Sequence, residues 1–206
     1  MKPSKTPFVL TSILFLSYFA AVYGQNIPRK WQEIPLFPGA TIDQEAQKQA
    51  IKDYQEIHAG EPIRDLHINV YTVKRVPDDV CRFYIEKLGA IEGLPDDDSW
   101  LSDSESNTGP WYEASLFQNS WFEDQYEGNI KIWDGKWFKS ALSKRQQWTE
   151  GEWLQGAYFE WTIILDNGDL ARFSIDIIDD DSFDTRAKTV ADKTMITIVS
   201  QIEKPE

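Results

Sequence analysis

The stretch Ala157-Tyr158-Phe159-Glu160-Trp161-Thr162-Ile163-Ile164-Leu165-Asp166-Asn167-Gly168-Asp169-Leu170-Ala171-Arg172-Phe173-Ser174-Ile175-Asp176-Ile177-Ile178 reads as two strands, Ala157–Leu165 and Asp169–Ile178, joined by Asp166-Asn167-Gly168. The side-chain period decides the turn. A two-residue Asn167-Gly168 turn would pair Leu165 with Leu170 and set Arg172, Ser174 and Asp176 on the face of Phe159, Trp161 and Ile163. A three-residue loop gathers Phe159, Trp161, Ile163 and Leu165 with Ala171, Phe173, Ile175 and Ile177 instead. Only the second gives one apolar face, because a one-residue slip turns a whole strand over. The sequence therefore predicts a type I turn with Gly168 left-handed in a G1 bulge.

Working outward, Thr194–Ile202 predicts a last strand with Ile196, Ile198 and Ile202 inward. Leu66–Lys74 alternates as a strand, with His67, Asn69, Tyr71 and Val73 opposite Leu66, Ile68, Val70 and Thr72. Two helices are expected. Asp43–His58 follows a Thr41-x-x-Gln44 capping box and carries Ala46, Ala50, Tyr54 and Ile57 at helical spacing. The second starts at Pro77-Asp78-Asp79, where proline and acids suit a first turn, and stops at Gly89. Its arc of Val80, Cys81, Phe83, Tyr84, Ile85 and Leu88 makes Cys81 a core thiol rather than a nucleophile. Asn26–Pro38 is an extended lead-in. Leu94–Gly109 reads as an acidic loop, and Ile130–Trp133 with Lys136–Phe138 as a hairpin about Asp134-Gly135. The order predicts an α+β fold: a twisted antiparallel sheet with the helices packed on one face.

The N-terminus carries an export signal. Lys2 and Lys5 precede an almost wholly apolar run, Phe8–Val22, and small residues then lead to a cut after Gly24, with Ala21 as the alternative. The run is shorter than the roughly 18–20 residues a spanning helix needs. The expected organisation is a signal peptide over 1–24 and a single α+β domain over 25–206, secreted or periplasmic, with no membrane span after cleavage. Cleavage takes the formal charge from −13 to −15, since residues 1–24 hold two cations and no acid. That charge repels nucleic acid and anionic lipid. A single cysteine excludes an internal disulfide, so in an oxidising compartment the core must hold the fold unaided.

Pro35-Leu36-Phe37-Pro38-Gly39-Ala40 resembles the P-x-Y-P-G-A entry of many small, largely uncharacterised secreted bacterial proteins. Val70-Tyr71-Thr72, then Val80, Phe83-Tyr84 and Leu88-Gly89, resembles their strand and V-x-x-F-Y-x-x-x-L helix. Phe37 stands where tyrosine is commoner, and the long first helix stands where a strand is expected. The resemblance implies export and an α+β core, and no activity.

The chain has no G-x-S-x-G elbow, H-E-x-x-H, phosphate-cradling glycine loop or paired C-x-x-C, and no cofactor is expected. With only His58 and His67, a zinc site would lean on carboxylates. His67 reads as an exposed or structurally satisfied histidine. Two acid clusters stand out: Asp96–Asp98 with Asp103 and Glu105, and Asp176 with Asp179, Asp180, Asp181 and Asp184. Either is a solvated loop, or the second gathers calcium.

Eight of the nine tryptophans fall between Trp100 and Trp161. Tryptophan beside polar groups stacks on sugars or grips apolar ligands, and also fills cores. The leading expectation is a non-enzymatic binding module that takes a small molecule, sugar or protein partner through Trp111, Trp121, Trp133 and Trp137. One alternative is a hydrolase using Glu160 and Asp176 on the polar hairpin face, where Glu160 lies diagonal to Arg172. The other is a calcium-stabilised structural protein.

Overall fold

The computed structural model of the chain describes residues 27–60, 63–93, 108–118, 145, 147–149, 152–184 and 189–203. The expected export signal, residues 94–107 of the expected acidic loop and the hairpin expected about Asp134-Gly135 lie outside them.

The deciding hairpin has the register its side chains require. Strands β6 (Glu152–Ile164) and β7 (Leu170–Asp179) pair Trp161 with Phe173, Phe159 with Ile175 and Ala157 with Ile177. Gly168 N–H donates to the Leu165 carbonyl at 2.9 Å, and Leu165 N–H to that of Asp169 at 2.9 Å. Gly168 takes φ 83°, which closes the predicted three-residue loop.

The sheet grows from both sides of this hairpin. The other strands on its path are β1 (Thr41–Ile42), β2 (Ile63–Val73), β3 (Ile91–Glu92), β4 (Thr108–Gln118) and β10 (Thr194–Glu203). Their order is β1-β2-β10-β7-β6-β4-β3, and the short β5 (Gln147–Thr149) also pairs with β6. Strands β8 (Ser182–Asp184) and β9 (Thr189–Ala191) form a separate ribbon. Every pairing is antiparallel except β3 with β4. The sheet is thus mixed where an antiparallel one was expected. Gly89 and Gly93, both at positive φ, return the chain from the second helix alongside β4, and Gly93 N–H bonds the Tyr112 carbonyl at 2.9 Å.

Helix α1 spans Gln44–Ile57 and α2 spans Pro77–Leu88. Their caps differ in quality as readings of the sequence. Asp43, not Thr41, caps α1, accepting from Ala46 N–H at 3.1 Å, while Thr41 is drawn into β1. Gly89 ends α2 at φ 62°, as predicted. Ala46, Ala50, Ile51 and Tyr54 form the half-buried side of α1. Ile57, expected on that stripe, is 75 % exposed.

The helices lie on opposite faces of the sheet. Helix α2 buries Val80, Cys81, Tyr84 and Leu88 in one cluster with Phe159, Trp161, Phe173, Ile175, Ile177, Ile196 and Ile198. The Tyr54 hydroxyl of α1 instead donates to Gln201, which the register pairs with Arg172 on the other face. The expectation of helices on one face gives way for a physical reason. Strand β2 is apolar on both sides: Val73 belongs to the α2 cluster, whereas Ile68 and Val70 are buried outside it. Each side of such a strand must be covered to keep its apolar surface from water.

The lead-in completes the α2 face. The buried Trp161 indole donates to the Pro28 carbonyl at 2.9 Å, so the ring meets its one polar requirement inside the core. Ile34 follows as a buried anchor after a 3₁₀ turn at Trp31–Glu33. Among the described residues, no helix is long and apolar enough to cross a membrane.

Candidate functional site

On the polar face, alternation aims Tyr158, Glu160, Arg172, Ser174 and Asp176 away from the main core. Glu160 pairs with Ser174 and Arg172 with Thr162, so Glu160 is diagonal to Arg172 as read from the sequence. With Tyr54 of α1 and His58 just past its end, Tyr158, Glu160, Arg172 and Ser174 line a cleft of about 240 Å³. Its groups are engaged with one another. Tyr158 donates to Glu160 at 3.0 Å. Arg172 Nε pairs with Glu203 at 3.1 Å, and Gln201 donates to Glu203 at 2.5 Å. Burial raises the carboxyl of Glu160, with the Tyr158 hydroxyl and the Arg172 charge opposing it in part. Burial raises Tyr158 too, and the neighbouring Glu160 charge adds to it. Asp176 is raised by burial alone and does not line the cleft. Of the two carboxylates of the hydrolase alternative, Glu160 thus lines this cleft and Asp176 does not.

The second acid cluster faces cations of the chain itself. Arg145, 6 % exposed, holds Asp179 at 2.6 Å and Asp181 at 2.5 Å. Lys193 pairs with Asp180 at 2.6 Å, and its backbone N–H donates to Asp181 at 2.7 Å. Asp179, Asp180 and Asp181 thus tie the end of β7 to Arg145 and Lys193. Two buried carboxylates on one guanidinium cannot both be balanced, and the Asp179 carboxyl is pushed up to about 6 by burial and by Asp181, against the pull of Arg145. Asp78, also buried at the start of α2, is raised by desolvation. Cys81 beside it is fully buried, its thiol pushed up to about 12 by burial and by the Asp78 charge, which fits the core role expected of it.

Of the tryptophans singled out, Trp121, Trp133 and Trp137 lie outside the described residues. Trp111 is half-buried on β4, directly across from Glu160. Trp153 and Trp161 are core, and Trp148 is half-buried with the Arg82 guanidinium 6.0 Å over its ring.

A second, wider concavity lies on the α2 face, beyond the reach of α2. A helix of 12 residues is about 18 Å long, whereas the ten residues of β7 extend for about 33 Å. The helix covers the Ile175–Ile177 end, and the Ala171–Phe173 end is left as the floor of a groove of about 720 Å³. Its wall is Trp31, stacked on His67 with ring centroids 5.0 Å apart and planes 30° apart. Its rim comes from three separate segments: Lys30 and Gln32 of the lead-in, Asp65 of β2, and Asp166 and Asn167 of the β6–β7 turn. Asp65 sits at a bulge, where β2 gains residues against β10 between Ser200 and Ile202, and it is the one described non-glycine residue at positive φ, 49°. Bulges re-aim side chains, and such backbone conformations gather at ligand sites. Among the described residues, the side chains of Lys30, Gln32, Asp65 and Asp166 make no hydrogen bond or ion pair with the protein.

Trp31 is thus the aromatic that reading the sequence passed over. It stands alone in the lead-in, apart from the cluster that drew attention. The available signal was its place beside charged and amide residues in a segment too rich in proline to be helix or strand.

No protein family, curated protein or solved structure matches the chain.

Proposed function

We propose that the protein is an exported, non-enzymatic binding module that holds a small organic ligand in the groove between the lead-in and the β6–β7 turn. One observation carries the reading. The groove combines an aromatic wall, an apolar floor and a rim on which the side chains of Lys30, Gln32, Asp65 and Asp166 have no hydrogen-bond or ion-pair partner among the described residues. Small-molecule sites have this composition, and their volumes run from about 300 to 1,000 Å³. The polar cleft beneath α1 is smaller and internally paired, so it supports a structural role. The export half of the proposal rests on residues 1–24. Trp111, across from Glu160 on the far face, has no part in this site.

The test begins with the exported, processed protein. N-terminal sequencing should start at Gln25. A thermal melt against sugars, nucleosides, amino acids and aromatic acids should show a rise in Tm with at least one class, growing as concentration passes its dissociation constant. Trp31→Ala should abolish the rise. No rise with any class, or a rise that Trp31→Ala leaves intact, refutes the groove as the site.

A further inference from the structure

We infer that the ligand of this groove is a neutral saccharide, an inference that rests on reading the groove as a ligand site. The argument runs by what each ligand chemistry would meet there. A wholly apolar ligand would cover Lys30, Asp65 and Asp166 and strip their water without replacing it, which is costly. A strongly charged ligand of either sign would meet a rim of mixed sign, with Arg29 and Lys30 against Glu33, Asp65 and Asp166. A neutral polyol escapes both penalties. Each hydroxyl is donor and acceptor at once, so it can satisfy an ammonium, a carboxylate and an amide on the same ring.

The placement of these groups adds a second constraint. Donors and acceptors line the groove from three segments of chain, whereas Trp31, Leu165 and Ile202 supply its accessible apolar surfaces. A pyranose ring has this distribution, with C–H faces that lie on an indole and hydroxyls around the whole perimeter. A flat heterocycle offers the face but polar atoms on only part of its edge. The groove is partly open to solvent, and its volume of about 720 Å³ admits more than one ring.

The experiment is a titration of the processed protein with neutral trisaccharides built from glucose, N-acetylglucosamine, galactose and xylose, followed by calorimetry and by Trp31 side-chain NMR. Indole-3-acetate and adenosine serve as heterocyclic probes. The expected result is saturable binding of at least one trisaccharide, with affinity reduced at least tenfold by Trp31→Ala and several-fold by Asp166→Ala. Glu113→Ala, on exposed β4 outside the groove, should leave it unchanged, and native melts of each variant establish that it is folded. Binding of a heterocyclic probe at Trp31 without any trisaccharide overturns the saccharide and leaves the groove standing. Binding of neither overturns both.

Discussion

Replacing Asp179 by asparagine separates the charge of the Arg145 cluster from its shape. Arg145 balances one buried carboxylate, and Asp179 and Asp181 both lie on it. Burial and the neighbouring Asp181 charge raise the folded Asp179 carboxyl to about 6, above its ordinary value near 3.8. The sign follows directly. Between these values the folded state holds more protons than the unfolded state, so the group's contribution is full below about pH 4 and is lost as pH rises through about 6. The whole effect is about 3 kcal/mol, of which about 1–1.5 kcal/mol falls between about pH 5 and pH 8. Asparagine is neutral throughout and cannot contribute this slope. Asp179→Asn forfeits one hydrogen bond to Arg145, worth about 1 kcal/mol at every pH. Urea unfolding of both proteins from about pH 5 to pH 8 should therefore show the variant gaining about 1–1.5 kcal/mol on the parent as pH rises. Asp78, Glu160 and Asp176 are raised in both proteins and cancel in the difference. A parent-to-variant difference that stays constant with pH, or moves the other way, refutes the reasoning.

Other consequences are as direct. Gly156→Ala would place a methyl carbon 2.3 Å from the Ile177 carbonyl oxygen, and urea unfolding should show a loss of roughly 2–4 kcal/mol. Gly168→Ala meets no atom within 4 Å and should lose only about 1 kcal/mol, from its left-handed backbone alone. Cys81 should resist alkylation at about pH 8 in the native protein and react fully in denaturant, because the buried thiol is not ionised there. Trp161→Phe should lower stability by about 1–3 kcal/mol, through the unpaired Pro28 carbonyl, while leaving the fold intact by circular dichroism.

The parts of the fold that were legible in the sequence are those where a local rule admits one answer. The β6–β7 loop could be three residues only, because the alternative mixes Arg172, Ser174 and Asp176 with the core. Pro77 and Gly89 bound α2 because each fits its position for reasons internal to the backbone. Elsewhere the sequence admits more than one answer. Thr41 and Asp43 both have cap chemistry, and the pairing of β1 with β2 decides between them. The side of the sheet that α1 covers depends on β2 being buried on both faces, which alternation of apolar residues on each face permits but does not impose. The candidate site was least legible. Its members stand as far apart as Trp31, Asp65 and Asp166, and only the sheet order brings them to one rim. The tryptophan cluster was prominent by number, yet Trp153 and Trp161 serve the core.

The position of β10 has a consequence for how the chain must fold. Strand β2 meets the rest of the sheet through β10, which lies between β2 and β7 although it comes last in chain order among the described strands. The first third of the molecule therefore has no sheet partner toward β7 until residues near 200 are available. Such late, long-range closure makes for slow folding. It also gives β10 two interfaces to lose in a truncation, where an edge strand has one.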